Sequence, residues 1–86
     1  MSKSSEPKFE NIDYYQTIAL NINHYRRCVG YTQAMLAEKV EISPSYLSQI
    51  ESVNNVRSFS METFFNLARA LNVEPFKLLK PLDAEV

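Results

Sequence analysis

Residues 43–52 form the stretch whose side chains are best suited to bind another molecule, because most of them are small and polar and two are aliphatic. On a helix with about 100° between successive residues, Leu47 and Ile50 fall on one side. The opposite side carries Ser45, Ser48, Gln49 and Ser52. Short hydroxyl side chains let a helix approach base edges closely, and a glutamine amide both donates and accepts hydrogen bonds. This face has the chemistry to read a DNA groove, although exposed serines are also common on surfaces without a function.

The charge of the chain predicts weak non-specific binding to DNA. Nine basic and ten acidic residues give a net charge of −1 at pH 7, whereas DNA-binding domains usually carry a basic footprint. Residues 24–58 hold four basic and three acidic side chains. Phosphate affinity depends on such local charge and on amide and hydroxyl donors, so the overall acidity does not exclude DNA binding.

Other arrangements with catalytic or metal-binding chemistry are incomplete. His24 and Cys28 share a helix face, but each is the only residue of its type, and a tetrahedral metal site needs four ligands. No third group is placed to orient a Cys–His catalytic pair. A chain with one glycine also has no Gly-rich phosphate loop. The sequence therefore predicts no enzyme, no metal site and no cofactor.

Hydrophobic spacing and capping residues predict an all-α fold. The predicted helices are 14–28, 33–40, 44–52, 61–71 and a short fifth one between Pro75 and Pro81. Their predicted N-caps are Asp13, Thr32, Ser43 and Ser60, and Pro44 takes the first position of the third helix. Gly30 and Asn72 are predicted to end the first and fourth helices in the left-handed conformation.

The chain length of 86 residues is that of one compact domain. The pattern divides it into a flexible leader (1–12), a folded domain (13–81) and a short tail (82–86). No apolar run is long enough for a membrane span, and the polar N-terminal residues do not resemble a signal peptide. We therefore expect a cytoplasmic protein, with modest stability unless subunits associate.

The segment "TQAMLAEKVEISPSYLSQIE" resembles the helix-turn-helix of the lambda-repressor-like, Cro-type (xenobiotic-response-element) regulator family. The residues that carry the resemblance are Thr32, Gln33, Leu36, Ala37, Leu47, Ser48, Ile50 and Glu51. It extends through "IALNINHYRR" upstream and "METFFNLARALNVEP" downstream, over about residues 16–80. The resemblance implies a compact five-helix domain with a central helix-turn-helix that binds a double-stranded DNA operator as a transcriptional regulator, most often a repressor.

The resemblance also implies roles for individual positions. Those that read bases would be Ser45, Gln49 and, on the flank, Tyr46. Those that contact the DNA backbone would be Thr32, Gln33, Ser43, Ser52, Asn54, Asn55 and Arg57, with Gln33 also bracing recognition-helix side chains. Arg26 and Glu51 would pair inside the fold rather than face DNA.

The sequence departs from the family pattern in the turn and in the following loop. Glu41 replaces the glycine that the family favours, and a left-handed non-glycine residue costs roughly 1 kcal/mol or somewhat more. The turn either accepts that cost or takes another shape. The loop after Glu51 lacks the usual glycine and is about two residues longer than typical of the family, and Pro44 removes one possible base contact.

The aromatic residues provide a candidate dimer interface. Phe64 and Phe65 are adjacent, so both cannot face a core fully. One of them, together with Phe76 or Leu79, is predicted to form a two-fold interface. A homodimer would double the phosphate contacts of a weakly charged subunit.

Two alternatives to a complete operator-binding regulator remain open at this point. One is a protein-interaction module of the antitoxin type, in which DNA binding is secondary. The other is the N-terminal DNA-binding domain of a larger effector-controlled regulator, with "KPLDAEV" as the start of a linker.

Overall fold

The computed structural model describes residues 6–82 and contains helices and turns but no strand within that range. Its α-helices are α1 (Ile12–Cys28), α2 (Gln33–Val40), α3 (Pro44–Ile50) and α4 (Met61–Leu71), and 3-10 helices cover Phe9–Asn11 and Pro75–Leu79. The all-helical prediction is confirmed, but the fifth helix is a 3-10 helix, since prolines leave room for only a short segment. The ends of the predicted leader and tail, 1–5 and 83–86, lie outside the described residues.

The α-helices begin at the residues that the sequence predicts, except for α1. Side-chain oxygens of Thr32, Ser43 and Ser60 each accept a hydrogen bond from the backbone N–H three residues later, at 3.0–3.1 Å, as predicted. The prediction that Asp13 is an N-cap is wrong, because α1 begins at Ile12 and Asp13 lies in its first turn. At this position the Asp13 carboxylate interacts favourably with the helix dipole, but it does not cap the helix.

The turn between α2 and α3 keeps the shape that a glycine would normally give it. Glu41 is left-handed, with φ 61° and ψ 42°. The N–H of Ile42 donates to the Ala37 carbonyl at 3.0 Å, and the N–H of Glu41 donates to the Glu38 carbonyl at 3.2 Å. These two bonds close a helix end in the usual left-handed way, so the motif geometry is preserved and the side chain adds a conformational cost.

Glu41→Gly is expected to raise the free energy of unfolding by about 0.5–1 kcal/mol. Glycine removes a left-handed Cβ clash worth roughly 1–2 kcal/mol, and its greater freedom in the unfolded chain offsets part of the gain. Urea denaturation measures the change. Asn72→Gly is the matched control, since Asn72 has φ 62° but asparagine tolerates this conformation better and should gain less. Equal stability of Glu41→Gly and the parent chain would contradict a strained Glu41.

The core is built from one apolar face of each helix. The fully or nearly buried side chains are Ile18, Ala19, Ile22, Leu36, Ala37, Val40, Leu47, Ile50, Phe64, Leu67, Ala68, Leu71 and Leu78. α2 packs against α3 and α4, and α1 packs against the 3-10 helix Pro75–Leu79. Asn21 stabilises the packing of α1 against this 3-10 helix, because its side chain donates hydrogen bonds to the Leu78 and Lys80 carbonyls, both at 2.8 Å. The packing of α3 against α2 buries Leu47 and Ile50 and leaves the polar face of α3 exposed.

Phe64 is not available for the predicted interface between subunits. It is 4% exposed and belongs to the core, whereas Phe65, Phe76 and Leu79 are 43%, 54% and 55% exposed. The hydrophobic period of α4 explains the difference, because Phe64 shares a face with Leu67, Ala68 and Leu71 and Phe65 does not. Only the three exposed members of the predicted set remain candidates.

Candidate functional site

The exposed surface of α3 is small and polar. Ser45, Ser48 and Gln49 are exposed, while Leu47 and Ile50 are buried against the other helices. The predicted orientation of this helix is therefore observed, although α3 ends at Ile50 rather than at residue 52. A surface of hydroxyls and one amide, presented by a short helix with an apolar anchor, can approach the floor of a groove closely.

The end of α3 is fixed by a hydrogen-bonded network around Glu51. Arg26 donates through Nε to Glu51 Oε2 at 2.8 Å and through Nη2 to Oε1 at 3.1 Å. Its Nη1 also donates to the Tyr31 carbonyl at 2.8 Å. Asn23 and Gln33 donate their side-chain amides to Glu51 Oε1, each at 3.0 Å. The network joins α1, the start of α2 and the end of α3.

The network keeps the Glu51 side chain ionised despite its burial. Its side chain is 3% exposed and that of Arg26 is 11% exposed. Burial alone would raise the pKa of Glu51, but hydrogen bonds from Arg26, Asn23 and Gln33, with the charge of Arg26, outweigh it and hold the pKa below its ordinary value. The Arg26–Glu51 pair is therefore a structural part of the motif.

Gln33 is connected to the end of α3 by its hydrogen bond to Glu51, the residue that follows this helix. It is the first residue of α2 and half-buried, and its amide nitrogen is bonded to Glu51 rather than held outward. The sequence did not single out Asn23, the other amide on this carboxylate. Its spacing three residues before Arg26, on the same face of α1, was the available signal.

A second cluster covers one flank of α3. Arg57 donates from Nη1 to the side-chain oxygen Oε1 of Gln49. Its guanidinium carbon lies 4.8 Å from the ring centroid of Tyr46, and that ring packs partly against the core. The structure thus brings Arg57, expected at the DNA backbone, into direct contact with two of the three expected base readers.

Two hydrogen bonds stabilise the loop that contains Arg57. Gln16 on α1 donates to the Val53 carbonyl at 3.0 Å, and Ser52 Oγ accepts from the Asn55 N–H at 3.2 Å. Asn54 and Asn55 are exposed in the loop that follows α3, and they line a surface depression together with Ile12 and Gln16. The Ser52 hydroxyl still has its proton to donate, as do the exposed capping hydroxyls of Thr32 and Ser43. Such donors can bond to phosphate without leaving their structural roles.

No helix among residues 6–82 combines the length and the apolar character needed to cross a bilayer.

Comparison with known families gives a match across the motif. The helix-turn-helix family profile matches residues 24–78, which contain α2, α3 and α4. No curated protein sequence gives a significant match.

Solved structures similar to this chain include bacterial regulators. The N-terminal DNA-binding domain of SinR from Bacillus subtilis is 34% identical, with a TM-score of 0.68 over 76% of this chain and 93% of that one. SinR in complex with DNA is 35% identical, with a TM-score of 0.67 over 73% and 98%. The restriction-modification controller protein C.AhdI from Aeromonas hydrophila is 26% identical, with a TM-score of 0.68 over 74% and 94%.

Proposed function

The chain belongs to the helix-turn-helix family, in its lambda-repressor-like, Cro-type branch, and we propose that it reads an operator by inserting α3 into the major groove. Its function is DNA-binding transcriptional regulation. The main support for this mechanism is that Ser45 and Gln49 lie exposed on a helix whose opposite face is buried and therefore fixed in place. Helices of this motif direct their N-terminal turn at base edges.

The DNA contacts divide into base readers and backbone donors. Ser45 and Gln49 read bases with their hydroxyl and amide, and Tyr46 borders the site. The backbone donors are Thr32, Gln33, Ser43, Ser52, Asn54, Asn55 and Arg57. For Gln33, the amide nitrogen is bonded to Glu51, so its contribution is to brace α3 and to offer its backbone N–H at the start of α2. Helix N-termini favour phosphate.

The solved relatives support DNA as the partner and regulation as the role. SinR, at 35% identity, is known in complex with DNA, and C.AhdI is a controller protein. We propose repression as the direction of regulation, because a protein seated on an operator excludes other proteins from it. We propose that the protein acts in the cytoplasm, where its DNA operator would lie, and that it catalyses no reaction.

Two subunits acting together would supply the phosphate contacts that one lacks. The chain has a net charge of −1, and affinity for DNA rises with the number of phosphates neutralised. A two-fold homodimer would place two copies of α3 on half-sites about 34 Å apart. The exposed apolar side chains of Phe65, Phe76 and Leu79 are the proposed contact.

Phe65→Glu is expected to shift a dimeric chain toward monomer, because a charge in an apolar interface lacks a partner. Sedimentation velocity at tens of micromolar, with and without operator DNA, measures the change. Leu20→Glu is the matched control, since Leu20 is 50% exposed on α1, outside the proposed interface. A parent chain that stays monomeric under both conditions would contradict the dimer.

Selection of bound sequences from a random double-stranded DNA pool, followed by a salt titration, tests the function. We expect one enriched motif with two related halves, and an affinity that falls as salt rises, with a slope set by the number of phosphate contacts. Failure to enrich any sequence would contradict sequence-specific binding. Such a result would favour a protein-interaction module, for which the exposed Phe65 and Phe76 offer a surface.

A further inference from the structure

The arrangement of Arg57 around Gln49 determines which hydrogen-bonding groups Gln49 presents. The guanidinium lies against the Tyr46 ring, and its Nη1 donates to Gln49 Oε1. Arg57 Nε is buried and has no hydrogen-bond partner within the described chain. The guanidinium is held by two contacts, which are its stacking on the Tyr46 ring and its hydrogen bond to Gln49.

A free glutamine amide can turn over and exchange its donor and acceptor ends. A cationic donor on Oε1 fixes one orientation, because hydrogen bonds from charged groups are stronger than neutral ones. The amide nitrogen, a donor, is then the end of Gln49 left to face a ligand. A guanidinium carries five N–H donors, and the bond to Gln49 uses one of them. The pair thus presents donors and a positive charge at the surface of α3.

The bases differ in what they offer to such a surface. In the major groove guanine presents two acceptors, N7 and O6, whereas adenine presents the acceptor N7 and a donor amine. An unconstrained glutamine pairs with adenine by donating to N7 and accepting from the amine. Here Arg57 already occupies one of the two lone pairs of Gln49 Oε1, so the amine of adenine would have to share that oxygen with a charged donor and would face a cation. Guanine requires no acceptor from the protein.

We propose that Arg57 is a positioning residue that makes Gln49 a donor-only reader, so that the base pair beneath it is G·C rather than A·T. This inference rests on the proposed operator-binding function. This role is additional to the proposed phosphate contact of Arg57, which by itself would change affinity for all sequences alike and set part of the salt slope. It differs from direct reading of guanine by Arg57, because the effect passes through Gln49.

The test compares base preferences of the parent chain, Arg57→Met, Gln49→Ala and the double variant on the selected operator. Gln49→Ala identifies the base pair beneath residue 49 as the position whose preference it relaxes. At that position we expect the parent chain to bind guanine about tenfold more tightly than adenine, within the range of one good base contact. Arg57→Met retains an apolar chain over Tyr46 without a donor, and should lose or reverse that ratio.

The double variant separates positioning from direct reading. If Arg57 acts through Gln49, Arg57→Met should leave the guanine-to-adenine ratio unchanged when residue 49 is alanine. A ratio that still changes in that background would show that Arg57 reads the base itself and would overturn the proposal. An unchanged ratio in Arg57→Met alone, or a parent chain that prefers adenine, would also overturn it.

A measurement on the parent chain keeps the proposal testable if Arg57→Met fails to fold. Replacing the guanine by 7-deazaguanine removes the N7 acceptor and should weaken binding, whereas inosine retains N7 and O6 and should bind as well as guanine. Unchanged affinity for 7-deazaguanine would contradict a donor-only reader. A parent chain that selects no sequence at all would contradict the proposed function instead, so the two failures are distinguishable.

Discussion

Arg26→Ala is expected to lower the free energy of unfolding by about 3–5 kcal/mol, because it leaves a buried carboxylate without its cationic partner. Glu51 would retain only the amide donors of Asn23 and Gln33. In a domain of 86 residues, such a loss is a large part of a typical total of roughly 5–15 kcal/mol. Urea denaturation followed by circular dichroism measures the change.

Arg27→Ala is the matched control for this prediction. Arg27 is adjacent to Arg26 but exposed, so its removal should alter stability by no more than about 0.5 kcal/mol. Glu51→Ala and the Arg26→Ala, Glu51→Ala double variant complete a double-mutant cycle. The double variant should be less destabilised than the sum of the single ones by about 1 kcal/mol or more. Additive effects would contradict the stabilising contact between these residues.

The same pair predicts how stability depends on pH. The pKa of Glu51 lies below its ordinary value of 4.5 in the folded chain, so the folded state binds its proton less readily than the unfolded state. The resulting stabilisation is present above pH 4.5 and is lost as the pH falls through the lower, folded pKa. Glu51→Gln should lose this contribution and show a flatter acid dependence than the parent chain.

Gln49→Ala is expected to weaken operator binding by about 1–3 kcal/mol and to relax the preference at one base pair. The salt slope should stay the same, because glutamine neutralises no phosphate. Fluorescence anisotropy with the selected operator and its single-base variants provides both quantities. Leu20→Ala, an exposed change on α1, serves as the control. If Gln49→Ala kept the parent affinity and base preference, Gln49 would not be a reader.

Features that depend on neighbouring residues along the chain were predictable from the sequence. The caps at Thr32, Ser43 and Ser60 follow from side chains within one turn of the helix start. The same holds for the left-handed residues after α1 and α4, which are Gly30 at φ 81° and Asn72 at φ 62°. The buried face of α3 follows from the spacing of Leu47 and Ile50. The sequence left the conformation at Glu41 open, because both a strained turn and a relaxed one were compatible with its neighbours.

Features that depend on contacts between distant segments were not predictable in detail. Arg57 reaches Gln49 from a loop without periodicity, so no sequence spacing indicates that contact. The resemblance implied that Gln33 braces side chains of the third helix, but it did not identify Glu51, the residue after α3, as the acceptor. This hydrogen bond depends on how α2 and α3 cross.

Competition binding at physiological salt shows whether α3 reads DNA sequence. The dissociation constant for the selected operator is compared with that for a scrambled duplex of the same length and composition. We predict that the operator binds at least about a thousandfold more tightly, which is the lower range for specific complexes. Equal affinity for the two duplexes would show that α3 does not read DNA sequence.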